Sequence, residues 1–232
     1  MSGVQIPPPR LMTNNGVYIT RLSAWAPGIN SNTEWNEWAN DKRDISSSNK
    51  GPEISFTEPM FRRRLSQISK MTIQVIYDLK PLKENIKIFF LSFRGEISKQ
   101  FQVNVELIKE NSISPAAFSL SVFNAPVALA TMALGLKGGY TAIYPGKNSF
   151  ADGIIAATAA LNCTAEEELV FVYADEEVPA EYNCFFDKNP VAVAFGLYFS
   201  KTPHPGSIAL SVIDRLETPL GFLKKLLKIR NP

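Results

Sequence analysis

The chain has 232 residues, of which 45% are hydrophobic, 20% charged and 11% aromatic. This is enough for one full-sized domain or two small ones with a real core, and it argues against disorder. With 24 basic and 22 acidic residues the formal net charge is +2, so no nucleic-acid partner is expected from the global balance.

The first fifteen residues, with "PPP" at 7–9, read as a loosely ordered arm. "VYITRLSAW" (17–25) predicts a strand and "NTEWNEWAND" (32–41) a short helix; the polar, turn-rich 41–59 reads as a surface loop. In 60–79 apolar residues at 61, 65, 68, 71, 75, 76 and 79 fall at helical spacing, with Arg62, Arg63, Arg64 and Lys70 outside that face. "IKIFFLSF" (86–93) is short enough for a buried strand, and "ISKQFQVNVELIKEN" (97–111) is a second amphipathic helix. Pro126 suits the first turn of a helix running to about Leu134.

A strand at 140–144, a helix at 149–161 and strands at 168–175, 191–200 and 207–216 follow. Buried strands alternating with helices predict an α/β layered fold with a mixed sheet, closing on an antiparallel pair. The domain is expected to span 16–216, followed by a basic amphipathic helix over 217–232, apolar at 222, 223, 226, 227 and 229. That helix either lies on a membrane surface or covers apolar protein surface, the latter being preferred for its shortness.

"APVALATMALGL" and "GIIAATAAL" fall short of the roughly 20 residues of a membrane span, and the N-terminus shows no charged-then-apolar leader. A cytoplasmic location is expected, with Cys163 and Cys184 as small buried hydrophobes rather than a disulfide.

The stretch that raises a chemical question is "AIYPGKNSFADGII" (142–155), where a β-prone run turns into a small-residue helix. A phosphate-binding loop needs G-x-x-x-x-G-K-[ST]; here the first glycine position is Thr141 and the hydroxyl position is Asn148. A serine elbow needs G-x-S-x-G, but Ser149 is flanked by Lys147 and Ala151, and the only histidine, His204, sits in "TPHPG". No metal or cofactor is expected.

The order of segments resembles the N-terminal half of the β-ketoacyl synthases, condensing enzymes of thiolase-like fold. "VYITRLSAWAPGIN" is similar to that family's opening strand and turn, and "FRRRLSQISKMTIQVIYDL" to its basic helix. Asn124 followed by Gly135-Leu136-Lys137-Gly138 is similar to its asparagine-led helix and Gly-Leu-basic-Gly turn. Counting forward from that turn places Lys147 where the family keeps its nucleophilic cysteine, and a lysine ammonium forms no thioester. The family's two catalytic histidines belong to a C-terminal half that would begin near Pro232.

The resemblance therefore implies a catalytically inactive subunit like the short chain length factors of aryl-polyene clusters. Such a chain would pair with a full-length β-ketoacyl synthase, serve an acyl carrier protein and help set acyl or polyene length. It implies a dimer interface at Tyr140, Thr141, Ala142, Ile143 and Tyr144, unless that strand is internal. It further implies an acyl-tunnel end at Phe118, Val122, Phe123 and Val127, unless these are ordinary core residues. Carrier docking would fall on Arg62, Arg63, Arg64 and Lys70. Two other readings are a free-standing acyl- or carrier-binding module, and an enzyme using Lys147 as a Schiff-base or acid–base group. The lysine enzyme is disfavoured because Asp152, one turn away, would keep the ammonium charged.

Overall fold

The computed structural model describes residues 16–146, 149–186, 190–212 and 218–230. The expected N-terminal arm, Lys147, and most of the segment joining the last strand to the C-terminal helix lie outside the described residues.

Six strands form one mixed sheet: β1 (Tyr18–Trp25), β2 (Lys87–Leu91), β3 (Tyr140–Ile143), β4 (Glu168–Asp175), β5 (Val193–Ser200) and β6 (Ile208–Ala209). Their spatial order is β3-β2-β4-β5-β1-β6. β2 runs parallel to both β3 and β4, while β5 is antiparallel to β4 and β1. Strands β4 and β5 lie at the centre and are buried along almost their whole length, as their unbroken apolar runs require.

Period-two alternation divides the sheet's side chains between two cores. Phe89, Leu91, Phe171, Tyr173, Phe195, Leu197 and Phe199 face one side, where α1 (Asn32–Ala39), α7 (Phe150–Asn162) and α8 (Pro219–Arg230) supply Trp35, Trp38, Ile154, Phe222 and Leu226. Ile88, Phe90, Val170, Val172, Ala194 and Tyr198 face the other, against α3 (Gln67–Asp78) and α6 (Ala125–Leu134). Two further helices, α4 (Ile97–Glu110) and α5 (Pro115–Ser119), bridge β2 to α6.

Several expectations are corrected. The single helix over 60–79 is two, α2 (Pro59–Arg62) and α3, because the chain breaks at Arg63–Ser66 and Ser66 caps α3 by accepting the Ser69 N–H at 3.1 Å. The segment 41–59 is irregular but not wholly superficial: Ile54 is buried and Phe56 stacks on Tyr77 at 3.6 Å. Of the expected 207–216 strand, the described residues hold Ile208–Ala209 as β6 and Leu210–Val212 as a 3₁₀ turn, while 213–216 lie outside them; β6 pairs with β1, so the sheet does not close on a β5–β6 pair. Both cysteines are exposed rather than buried. Cys163 is the residue that caps the end of α7 and Cys184 sits in a 3₁₀ turn, both beyond the reach of the packed faces. Among the described residues no helix is long and apolar enough to cross a membrane.

Candidate functional site at the edge of the sheet

Among the described residues β3 ends the sheet, paired to β2 on one side and to no strand on the other. Its approach explains the most specific motif in the sequence. Gly135 closes α6 with a left-handed φ of +65°, which a side chain would resist. Gly138 passes so close to the carbonyl oxygens of Asn85 and Ile86 that a Cβ would overlap them. Between them Lys137 is tied back to the start of β2 by its backbone N–H on Glu84 O (2.6 Å) and its ammonium on the Glu84 carboxylate (2.5 Å). The turn thus delivers β3 in register beside β2.

The ladder fixes which way each peptide faces. Ile88 N–H donates to Gly139 O at 3.1 Å and Ser92 N–H to Ile143 O at 3.4 Å. By alternation, the N–H and C=O groups of Tyr140 and Ala142 are directed at the open edge. Asn124 donates its side-chain amide to the Tyr140 hydroxyl at 3.0 Å, bracing the strand against the start of α6.

The helices on either side of this edge are apolar on nearly every face. Thr131 is the single polar residue of α6, and α7 has only Asp152, Thr158 and Asn162. A helix apolar all round is normally buried all round. Here Val127, Ala130, Ile154 and Ala157 are buried, whereas Met132 is 72% exposed and Ile155 50%. Tyr140, Tyr144, Phe118 (56%) and Val122 add further exposed apolar surface. A 290 Å³ cavity lies beside the strand, walled by Phe89, Thr141, Ala160, Leu161 and Leu169.

Not all the expected site residues share one environment. Tyr140–Ile143 form β3 and Tyr144 follows it. Phe118 on α5 and Val122 on the next turn are exposed, Phe123 packs edge-on to Phe90 at 6.2 Å, and Val127 is a fully buried core residue of α6. Val127 is therefore a core residue that shares no exposed surface with Phe118 and Val122. Arg62, Arg63 and Arg64 lie on α2 and the break after it, with Arg63 and Arg64 exposed, while Lys70 is on α3. At the elbow Ser149 Oγ accepts the Asp152 N–H at 3.3 Å as the cap of α7. His204 is an exposed turn residue whose N–H donates to Ser207 Oγ.

A second constellation was missed by sequence reasoning. At the C-terminal ends of β2 and β4, buried Asp175 accepts from Ser92 Oγ (2.6 Å), from the N–H groups of Phe93 and Arg94 (3.1 Å each) and from Tyr173 OH (2.6 Å). Burial and the Asp175 charge push the Tyr173 phenol well above its usual range. Next to it Glu176 accepts the N–H of Ser98 at 2.9 Å and of Ile68 at 3.4 Å, and burial raises its carboxyl. Glu96 accepts from Ser66 Oγ (2.8 Å) and Ser69 Oγ (2.5 Å); burial first, and then the Glu176 charge, push it up to about 7. A 690 Å³ cavity lined by Ser66, Gln67, Ser98, Phe101 and Glu176 adjoins this cluster. The only hint in the sequence is "ADEE" at the end of a buried strand.

A mixed sheet between two helical layers, with a parallel strand at one end and the capped helix α7 after it, is the arrangement of the thiolase-like fold. Residues 35–218 match the family model of the β-ketoacyl synthase N-terminal domain, and the chain belongs to that family. Among solved structures it is similar to a chain of the ketosynthase ApeO in complex with its chain length factor ApeC from Xenorhabdus doucetiae. The identity is 23% with a TM-score of 0.74, covering 94% of this chain and 92% of that one. It is also similar to the ishigamide ketosynthase/chain length factor (11% identity, TM-score 0.63), covering 80% of this chain and 62% of that chain. A third likeness is to AntDE:AntF, a type II acyl-carrier protein in complex with its ketosynthase (13% identity, TM-score 0.57, covering 80% and 63%). The chain thus spans less than two thirds of the second and third of these. At such identities the likeness speaks to the fold. No match is found among curated proteins.

Proposed function

We propose that this chain is a non-catalytic chain length factor that pairs through β3 with a full-length β-ketoacyl synthase and helps set the length of its acyl or polyene product. The observation that carries this reading is the open β3 edge, set between two helices whose outward faces hold Met132 and Ile155 where a finished surface would hold charge. A partner strand would satisfy the outward peptides of Tyr140 and Ala142 and bury those faces. Likeness along nearly the whole of a chain from a ketosynthase–chain length factor complex supports it, since the matched chain is of similar length.

In this reading Lys147 fills the vacant nucleophile position, and neither Cys163 nor Cys184 lies at the elbow. Phe118 and Val122, exposed beside the edge, would end the partner's acyl tunnel, with Phe123 and Val127 fixing the turn behind them. Arg62, Arg63, Arg64 and Lys70 would attract an acidic acyl carrier protein. The test is co-expression with a full-length ketosynthase encoded beside it, followed by size-exclusion chromatography with light scattering. A 1:1 complex is expected; a well-behaved monomer that ignores the ketosynthase would instead favour a free-standing acyl- or carrier-binding module.

A further inference from the structure

Glu96 and Glu176 are both 1% exposed, and both are wedged between the first turns of α3 and α4. Their surroundings differ. Glu176 has both oxygens occupied by backbone N–H groups, one from the start of each helix, and these bonds offset part of the upward push of burial on its carboxyl. Glu96 has two serine hydroxyls on one oxygen, while its other oxygen, Oε2, is buried with no hydrogen-bond partner. A bare oxygen on a buried anion is costly, far more so than on a neutral acid.

We propose that Glu96 is a proton-operated latch between α3 and α4, closed while its carboxyl is neutral and opened when it ionises beside Glu176. The groups facing it are the Ser66 and Ser69 hydroxyls from α3, Lys99 from α4 and Glu176 from the end of β4, with Asp175 acting in turn on Glu176. Lys99 opposes the upward push of burial and Glu176 but does not overcome it, and the carboxyl of Glu96 stands at about 7. The release would not stop at α4. Gln100, one turn into the helix, donates its side-chain amide to Ser121 O at 3.2 Å, the turn that carries Val122 and Phe123. The latch therefore couples the proton to the exposed apolar turn beside the β3 edge.

The sign follows from the raised carboxyl. Once the pH passes the ordinary glutamate value of 4.5, opened α4 gains the free energy of ionising Glu96 and closed α4 does not, until both forms are ionised above about 7. Amide hydrogen exchange by mass spectrometry on the full chain reads this directly. Protection factors for 97–103 are expected to fall by up to about tenfold per pH unit between about pH 5 and 7 and level off above, with β4 and β5 unchanged. Glu96→Gln, and Glu96→Met as a second neutral side chain, should lose most of the slope, leaving only the smaller part that the raised carboxyl of Glu176 contributes. A flat wild-type profile, or the wild-type slope persisting in a folded neutral variant, would overturn the latch.

Discussion

The two ends of the sheet are built on opposite principles. At the β6 end the strand is two residues long, and α8 lies over the neighbouring core face with Phe222, Leu223, Leu226 and Leu227 all inward. Its lysines point outward or sideways, Lys224 reaching the Asp41 carboxylate and standing over the Trp38 ring at 5.1 Å. At the β3 end the strand carries a full ladder on one side, and the flanking helices have apolar residues outside as well as in. An amphipathic helix records a surface finished in water, whereas a helix apolar all round beside a strand unpaired among the described residues is the surface on which the proposed pairing rests.

The largest expected effect breaks the finished end. Phe222 packs at 5.2 Å from Phe150 and 6.3 Å from Phe195, so Phe222→Ala should cost about 3–5 kcal/mol of monomer stability in denaturant titrations. Partner affinity of the molecules still folded should hardly change.

The converse change is Ala142→Pro. It removes an N–H directed at the open edge and leaves the β2 ladder intact, as proline at a solvent-facing edge position does. Affinity for the ketosynthase, measured by titration, should fall by about a hundredfold or more, with the melting temperature nearly unchanged. A monomer that melts far earlier would mean that the outward side of β3 is already occupied.

Smaller effects sharpen the contrast. Met132→Lys or Ile155→Lys should alter monomer stability by no more than about 0.5 kcal/mol, yet weaken the complex by burying an unpaired ammonium. Smallest in free energy are Phe118→Ala and Val122→Ala, expected to lengthen the partner's products. Each added methylene gains roughly 0.8 kcal/mol on burial, enough to shift a product distribution read by mass spectrometry.

How much of this was legible in the sequence depends on the distance over which each feature is decided. The runs "ELVFVYAD" and "VAVAFGLYFS" declare buried strands by themselves, and the spacing of 222, 223, 226 and 227 declares the buried face of α8. The break before α3 was hidden because apolar spacing continues across Arg63–Ser66, and only the Ser66 cap reveals a new start. The pairing of β6 with β1 rather than β5 was hidden because its place in the sheet is set by a strand almost 190 residues earlier in the chain. Pairing of Glu96 with Glu176 could not be read at all, since the two meet only after β2, α4 and β4 are assembled. The β3 edge lies between these cases: the family turn at Gly135–Gly138 located the strand, but strand order alone made it an edge.

The most direct test is amide hydrogen exchange at Tyr140 and Ala142, with and without the ketosynthase. Strand addition at β3 should slow both amides strongly in the complex, while Thr141 and Ile143, already directed at β2, change less. A stable complex that leaves Tyr140 and Ala142 exchanging as in the free chain would contradict the account.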